Sequence, residues 1–411
     1  MSSSKKTLEG IKVIELANFI AAPACGRFLA DLGAEVIKIE APNGDPLRFT
    51  APSEGRPLNQ YENTTFDLEN GNKRSIALNL KAPNAKEVLM KLVEDADILI
   101  TNWRPEALKR AGLDYETLKV KFPKLVYSQI TGYGDKGPDK DLPGFDFTAF
   151  FARGGILGTL YEKDTVPMNV IPGLGDHQAG MFLAAGTMAA LYRAKMTGEG
   201  EKVSVSLFHS AMYTVGIMLQ AAQYPDYGMK YPMHRKDTPN PLLIAQKTRD
   251  GYFIQTCMPA YNQFYDRYMK TIGREDLVGH ERYSRIENLD GKSSELCDII
   301  AAQIIQKDKD EWDKIFREAD IPFAVAQTWE DLLVDKQAWA NDYLYSMNYD
   351  NGNTRTLVRL PVMFEEQGLS DYNRGPLLGE HSFDVLKEIG YSEEQIKAMQ
   401  DNKEIYKWSD N

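Results

Sequence analysis

The chain is poor in cysteine and histidine and lacks the glycine loops that bind nucleotide phosphates. Its three cysteines, Cys25, Cys257 and Cys297, are far apart and form no CxxC pair, which argues against a disulfide framework or a zinc ribbon and fits a reducing compartment. The five histidines, His177, His209, His234, His280 and His381, include no HExxH and no close pair, so no resident metal is indicated. There is no GxGxxG after the first predicted strand and no GxxxxGK[ST] anywhere, which disfavours a nicotinamide dehydrogenase and a nucleoside triphosphatase. A serine-hydrolase GxSxG elbow is also absent. The most apolar window, Met181 to Tyr192, is too short and too interrupted to span a bilayer, and no apolar stretch follows Met1-Ser-Ser-Ser-Lys-Lys, so a soluble, cytoplasmic protein is expected. Basic residues are in deficit, 48 against 59 acidic ones, and the formal charge of −11 repels nucleic acids and anionic membranes. Any anionic ligand must be met by a local basic cluster.

What is present is ordinary globular material, 43% hydrophobic and 26% charged over 411 residues, long enough for two domains or one domain with a large insertion. The first 135 residues alternate strand and helix signals, with strands at Ile11–Leu16, Glu35–Glu40, Ser75–Leu80, Asp97–Thr101 and Leu125–Ile130. Helices are predicted between them at Ala24–Leu32, Lys86–Glu94 and Tyr115–Lys119, with Gly33 and Gly112 at helix ends and Pro105 in a first helical turn. This is the pattern of an α/β fold, a Rossmann-like parallel sheet covered by helices. A helix from about Asp176 to Lys195 carries Ala179, Gly180, Ala184, Ala185, Gly186, Ala189 and Ala190, which suits close packing on another backbone. The expected organisation is a large domain over 1–222, a linker over 223–241, a smaller α/β domain over 242–330, a second linker over 331–365 and a return to the large domain over 366–411. Within the smaller domain, strands flank Asp250-Gly251 and helices follow near Asn262–Thr271, Lys292–Gln306 and Asp310–Glu318. Thr328 opens a capping box, Asn351-Gly352 signals a hairpin, and His381–Lys387 reads as a short helix.

Ligands of such sheets bind beyond the carboxyl ends of the strands, so the informative segments are Asn18 to Pro23, Ala41 to Asp45, Lys81, Asn102 to Pro105 and Thr131 to Gly134. Arg74, Lys81, Arg104, Lys109 and Arg110 lie near these ends, where an anion with several phosphates needs partners. Trp103 is open to two readings, a stacking surface for an adenine or a core tryptophan. Gly173-Leu-Gly-Asp176-His177 places a carboxylate between glycines at the start of the small-residue helix. Asp176 is then either the helix cap or a nucleophile beside backbone N–H groups of Gly175 to Gln178 that serve an oxyanion. His177 is read as structural, since adjacent helical residues do not face each other.

Leu16-Ala-Asn-Phe-Ile-Ala-Ala-Pro, Leu32-Gly-Ala-Glu-Val-Ile-Lys-Ile-Glu, Asn72-Lys-Arg-Ser-Ile-Ala-Leu-Asn-Leu-Lys, Gly132-Tyr-Gly, Gly175-Asp176 and Gly379-Glu-His381 occur in register with the class III CoA-transferases. The chain resembles this family, that of formyl-CoA transferase and carnitine CoA-transferase, from about residue 8 to the tail, and most of all its branch acting on 2-hydroxy acids in amino-acid fermentation. The resemblance implies a homodimer of interlocked rings and Asp176 as the catalytic aspartate. It further implies Ile20 and Ala21 beside CoA, Leu78, Asn79, Leu80, Lys81, Asn102, Trp103 and Arg104 as adenine and phosphate contacts, and Arg110 on a phosphate. Asp146 falls where formyl-CoA transferase has a ligand-contacting tyrosine, and Ala41 where some members have arginine. Asp237 to Pro241 stands near the place of the glycine-rich lid of the oxalate-type enzymes, which this chain lacks. The implied reaction moves CoA from an acyl-CoA of the cinnamoyl type to an (R)-2-hydroxy acid such as (R)-phenyllactate, through aspartyl anhydride and aspartyl-CoA thioester intermediates. CoA thioesters are then substrates, no tightly bound cofactor is implied, and a downstream 2-hydroxyacyl-CoA dehydratase is a further candidate partner. The alternatives are a 2-hydroxyisocaproate CoA-transferase, a non-catalytic CoA-binding protein, and an α-methylacyl-CoA racemase, whose catalytic histidine is replaced here by Phe145.

Overall fold

Val13 and Ile14 are adjacent in the first strand and both are fully buried, against opposite faces of one sheet, as a central parallel strand requires. In the computed structural model, which describes residues 6–224, 226, 230–289, 291–370 and 372–408, that sheet belongs to the first of two units, Met1–Leu157 with Asn169–Gln223 and Lys336–Asn411. Strands and helices alternate along it as β1 (Lys12–Leu16), α1 (Ala21–Asp31), β2 (Glu35–Glu40), α2 (Thr64–Asn70), β3 (Arg74–Leu78), α3 (Pro83–Glu94), β4 (Ile98–Thr101), α4 (Pro105–Ala111), α5 (Tyr115–Lys121) and β5 (Val126–Thr131). A long helix α6 (Leu174–Thr197), strand β6 (Lys202–Ser206) and helices α7 (Leu207–Thr214) and α8 (Gly216–Ala221) follow. Pro105 opens α4, and Gly33 and Gly112, with φ of +99° and +68°, close α1 and α4 as expected.

The second unit, Gly158–Met168 with Tyr224–Asp335, holds the antiparallel strands β7 (Ala245–Lys247), β8 (Phe253–Thr256) and β9 (Phe323–Val325) and helices α9 (Tyr261–Thr271), α10 (Ser293–Ile304), α11 (Lys309–Glu318) and α12 (Trp329–Leu333). Its core is aromatic, with Tyr261, Tyr265, Tyr268, Trp312 and Phe316 buried together, and Thr328 accepts from the Asp331 N–H in the expected capping box. Part of the crossing stretch expected at 223–241 lies outside the described residues, at 225 and 227–229. The segment expected near a lid is tied down instead: Asn240 is buried, caps Leu242 and donates to the Met258 carbonyl at 3.1 Å.

The chain returns to the first unit through α13 (Lys336–Ala340), the hairpin β10 (Leu344–Asn348) and β11 (Thr354–Val358), α14 (Ser382–Glu388), α15 (Glu393–Asp401) and β12 (Ile405–Tyr406). The sheet has seven strands in the order β12-β3-β2-β1-β4-β5-β6, parallel except for β12. Helices α1 and α6 cover one face, and α3, α5, α14 and α15 the other. Among the described residues no helix is long and apolar enough to cross a membrane.

The face under α1 also buries charge. Lys38, with 0% of its side chain exposed, donates to Glu15 at 3.0 Å and to the Ala17 carbonyl at 2.8 Å, and pairs with Asp45 at 2.9 Å. Burial works against its charge, but Asp45 and Glu15 outweigh that and hold its ammonium above the ordinary lysine range. The second Glu15 oxygen takes Lys73 at 2.7 Å, and Gly26 of α1 leaves the room this needs, since a Cβ there would collide with the Glu15 carboxylate. Removing one member of a buried, fully paired set strands the others. Lys38→Met should therefore cost about 3–5 kcal/mol of stability in a denaturant titration. A loss below about 1 kcal/mol would mean that the set contributes no net constraint.

Candidate active site

Strands β1, β4 and β5 lie side by side and end at Leu16, Thr101 and Thr131, and the loops beyond them wall a cleft of about 390 Å³. Two of these loops are locked to each other by one side chain. Asn102 donates to the Asn18 carbonyl at 2.7 Å and accepts from the Asn18 N–H at 3.1 Å. Phe19 then takes a left-handed backbone, φ +61°, costly for a bulky residue, and its N–H is held by Asp45 at 3.0 Å. Both asparagine contacts and the aspartate contact are long in sequence, so the loop's shape is a product of the tertiary structure.

Helix α6 delivers Asp176 into this cleft. The helix packs so closely on α1 that a Cβ on Gly180 would lie 2.6 Å from the Ala21 carbonyl oxygen, and that approach brings its first turns against the β1 loop. Asp176 is not the cap that local sequence suggested. The capping position is Gly173, with φ +90°, and Asp176 stands three residues further on, inside the first turn. The carboxylate at the helix end comes from Asp146, on a π-helical turn (Asp146–Ala152): its Oδ1 accepts from the Gly175 N–H at 3.1 Å. A side chain at Gly175 would collide with Asp146 and the Phe150 ring, so only glycine fits there.

Two carboxylates thus share one helix end. Burial, and then the neighbouring Asp146, push the Asp176 carboxyl up to about 7, with His177 acting in the opposite sense. Asp146 is raised by burial too, against which the N–H groups of Gly173, Gly175 and Asp176 hold it down. His177 turns away to Glu69, Nε2 to Oε1 2.6 Å; burial opposes its charge, but the Glu69 hydrogen bond prevails and raises it. The expectation that first-turn N–H groups serve an oxyanion needs correction: Gly175 N–H is engaged by Asp146, and His177 N–H by the Gly173 carbonyl at 2.8 Å.

Of the residues expected at the site, Ile20, Ala21, Asn102, Trp103 and Arg104 line the cleft with Asp176. Asn102 uses both ends of its amide on Asn18, and Trp103 packs partly into the core beneath. Leu78, Asn79, Leu80, Lys81 and Arg110 are not among its lining residues. The unanticipated strand β12 pairs with the end of β3, where the Asn79 N–H donates to the Glu404 carbonyl at 2.8 Å. Arg74 starts β3, at the opposite end of the sheet from the cleft, and pairs with Glu35 and Glu388. Asp146, expected to contact a ligand, is 4% exposed and caps α6. Phe19, within the Asn18 to Pro23 segment expected at the rim, also lines the cleft, whereas sequence reasoning missed Lys140 and Gly144. Lys140 and Gly144 lie in a Gly-, Pro- and Asp-rich stretch without periodicity, brought to the cleft where the Gly144 and Gly132 backbones meet too closely for any side chain. Among the described residues, no group of three or more His, Cys, Asp or Glu is placed to share a metal ion.

Comparison with known proteins adds independent findings. The sequence model of CoA-transferase family III matches residues 8–382. The chain is 66% identical over 406 residues, 98% of each chain, to the cinnamoyl-CoA:phenyllactate CoA-transferase of Clostridium sporogenes. It is 46% identical over 398 residues, 97% of this chain and 99% of the relative, to the (R)-2-hydroxy-4-methylpentanoate CoA-transferase of Clostridioides difficile. A solved CaiB/BaiF family protein from Brucella suis superposes with a TM-score of 0.80 at 27% identity, covering 94% of this chain and 100% of that one.

The raised carboxyl has a consequence for stability. With its folded value near 7 and the ordinary aspartate value about 3.9, Asp176 keeps a proton in the folded chain that the unfolded chain has released. The stability this contributes is complete below about pH 4 and lost as the pH rises through about 7. Asp176→Asn lacks that dependence, so its Tm relative to the unsubstituted protein should rise steadily across this window and level off above about pH 8. A difference in Tm that is flat with pH would show that Asp176 titrates like a surface carboxylate.

Proposed function

The chain belongs to CoA-transferase family III, and from that premise we propose that it moves CoA from an acyl-CoA of the cinnamoyl type to an (R)-2-hydroxy acid such as (R)-phenyllactate, with Asp176 as the nucleophile. The observation that carries the reading is the half-buried Asp176 carboxylate lining the cleft, with its affinity for a proton raised well above that of a free aspartate. A more basic carboxylate is a better nucleophile toward the donor carbonyl. A racemase reading has no support, since Phe145 lines the cleft and a phenyl ring moves no proton.

In the proposed sequence, an Asp176 oxygen attacks the donor thioester carbonyl and expels CoA thiolate, leaving a mixed anhydride. The thiolate attacks the aspartyl carbonyl, releasing the donor acid as its carboxylate and forming an aspartyl-CoA thioester. The carboxylate of the 2-hydroxy acid attacks that thioester, giving a second anhydride and thiolate. Attack of the thiolate on the new acyl carbonyl yields 2-hydroxyacyl-CoA and restores Asp176. Every step exchanges one acyl bond for another, so no net proton, water or cofactor is consumed. Asp146 supports this by fixing the turn that carries Asp176 and by making its negative charge costlier to hold, hence more reactive. Arg104 and Lys140, both exposed in the same cleft, supply positive charge suited to the CoA phosphates within a chain of net charge −11.

We also read the enzyme as a homodimer, interlocked as the family resemblance implies. Helix α8 buries none of its residues in the single chain, and Tyr192, Met196, Tyr213 and Ile217 are between 69% and 86% exposed on α6, α7 and α8. That much apolar surface on consecutive helices suits a second copy. A cytoplasmic location is in keeping with the three free cysteines, and a 2-hydroxyacyl-CoA dehydratase is the candidate consumer of the product.

The test is a CoA-transfer assay with cinnamoyl-CoA against a panel of 2-hydroxy acids in both enantiomers, read by the formation of the new thioester. Aryllactates of R configuration should give the highest kcat/KM, and a higher value for 2-hydroxyisocaproate than for every aryllactate would overturn the aryl assignment. In the same assay Arg104→Ala should raise the KM for acyl-CoA by roughly 3- to 10-fold with a smaller change in kcat, because a phosphate contact remote from the carbonyl contributes mainly uniform binding. An unchanged KM would remove Arg104 from the CoA site.

A further inference from the structure

Phe19 and Phe145 come from loops 126 residues apart, after β1 and before the π-helical turn, yet their rings meet edge to face, with centroids 5.9 Å apart and planes at 89°. Both rings line the cleft that holds Asp176, and they remain 37% and 53% exposed. Large apolar side chains left open beside a reacting group present apolar surface to a substrate. Neither ring is there by default. Phe19 sits on the left-handed backbone that Asp45 and the Asn18–Asn102 pair hold in place, and an outlier kept up by surrounding structure points to a role for the side chain it carries. Phe145 immediately precedes Asp146, the residue bound to the first turn of α6, so its backbone is tied to the helix that carries Asp176.

From this geometry we propose that Phe19 and Phe145 form the wall that receives the aromatic ring of the substrate acid, and that they set selection of aryl over aliphatic 2-hydroxy acids. The inference rests on the reading of the reaction given above and assigns the part of the site that decides among its acceptors. An aryl group can add a third edge-to-face or offset contact to an existing aromatic pair, whereas a branched alkyl group gains only contact area.

The experiment measures kcat/KM with one donor, cinnamoyl-CoA, for two acceptors, (R)-phenyllactate and (R)-2-hydroxy-4-methylpentanoate, in the unsubstituted enzyme and in Phe19→Leu, Phe145→Leu and Phe145→Tyr. The ratio of the two values is a property of whatever folded enzyme is present, so partial loss of fold does not affect it. The aryl-to-alkyl ratio should fall about tenfold in at least one leucine variant, the size of an aromatic contact. Phe145→Tyr, which keeps the ring, should stay within about threefold of the unsubstituted enzyme. A ratio unchanged within twofold in both leucine variants overturns the aryl wall while leaving CoA transfer intact. Failure of the unsubstituted enzyme to transfer CoA to either acid would instead overturn the reaction itself, and this inference with it.

Discussion

One buried ammonium organises the rim of the sheet. Lys38 reaches no water, and its three oxygen partners come from β1, from the residue that follows it, and from the turn after β2. Both carboxylates among them have a second duty. Glu15 also holds Lys73, which bonds to the Pro23 carbonyl in the first turn of α1, and Asp45 also holds the N–H groups of Phe19 and Leu47. The loop that walls the cleft is therefore suspended from charges inside the domain. A set of ions closed off from solvent tolerates no intermediate position, because any displacement leaves a charge unpaired in a medium that cannot screen it. Such a device suits a site that must hold reacting atoms in place.

The same economy of charge recurs at the start of α6. A helix N-terminus favours anions, and the protein places two carboxylates there. Asp146 takes the backbone N–H groups that would otherwise stabilise a negative Asp176, and its own charge then adds to the effect of burial. One acid holds a backbone N–H through Oδ1, and the other is left to the unfavourable field of its neighbour. In a polar, solvated turn Asp176 would be a quiet surface residue, whereas here its proton affinity is tuned toward neutrality by its surroundings, a common property of groups that do chemistry. His177, next to it in sequence, is held by Glu69 and helps set the local field.

The parallel sheet was legible because its strands are short apolar runs between helix starts and stops. Glu35–Glu40 is found as expected, and the other strands expected in the first 135 residues lie within a residue or two of their expected limits. The hairpin at Asn351-Gly352 and the Thr328 capping box were equally local signals. What stayed hidden depends on distance along the chain. Nothing around Asp146 announces that it caps a helix 29 residues later, and nothing around Lys38 announces a buried ion, since a charged residue in a strand ordinarily faces water. The π-helical turn follows a stretch of Gly, Pro and Asp with no periodicity to read. Strand β12 has only two residues and no pattern of its own, and the strand order, which sets β2 between β3 and β1, leaves the Leu78 to Lys81 segment outside the cleft lining. Recognition of Asp176 came from a motif, and its environment came only from the fold.

The central claim, that this carboxylate becomes covalently acylated, is tested most directly by trapping. The enzyme is incubated with cinnamoyl-CoA and no acceptor, treated with hydroxylamine, digested and mapped by mass spectrometry. The account predicts a hydroxamate at Asp176 and at no other acidic residue, and none in Asp176→Asn, whose neutral amide cannot form the anhydride. Efficient CoA transfer by Asp176→Asn, or a hydroxamate at a different residue of an active enzyme, would contradict it.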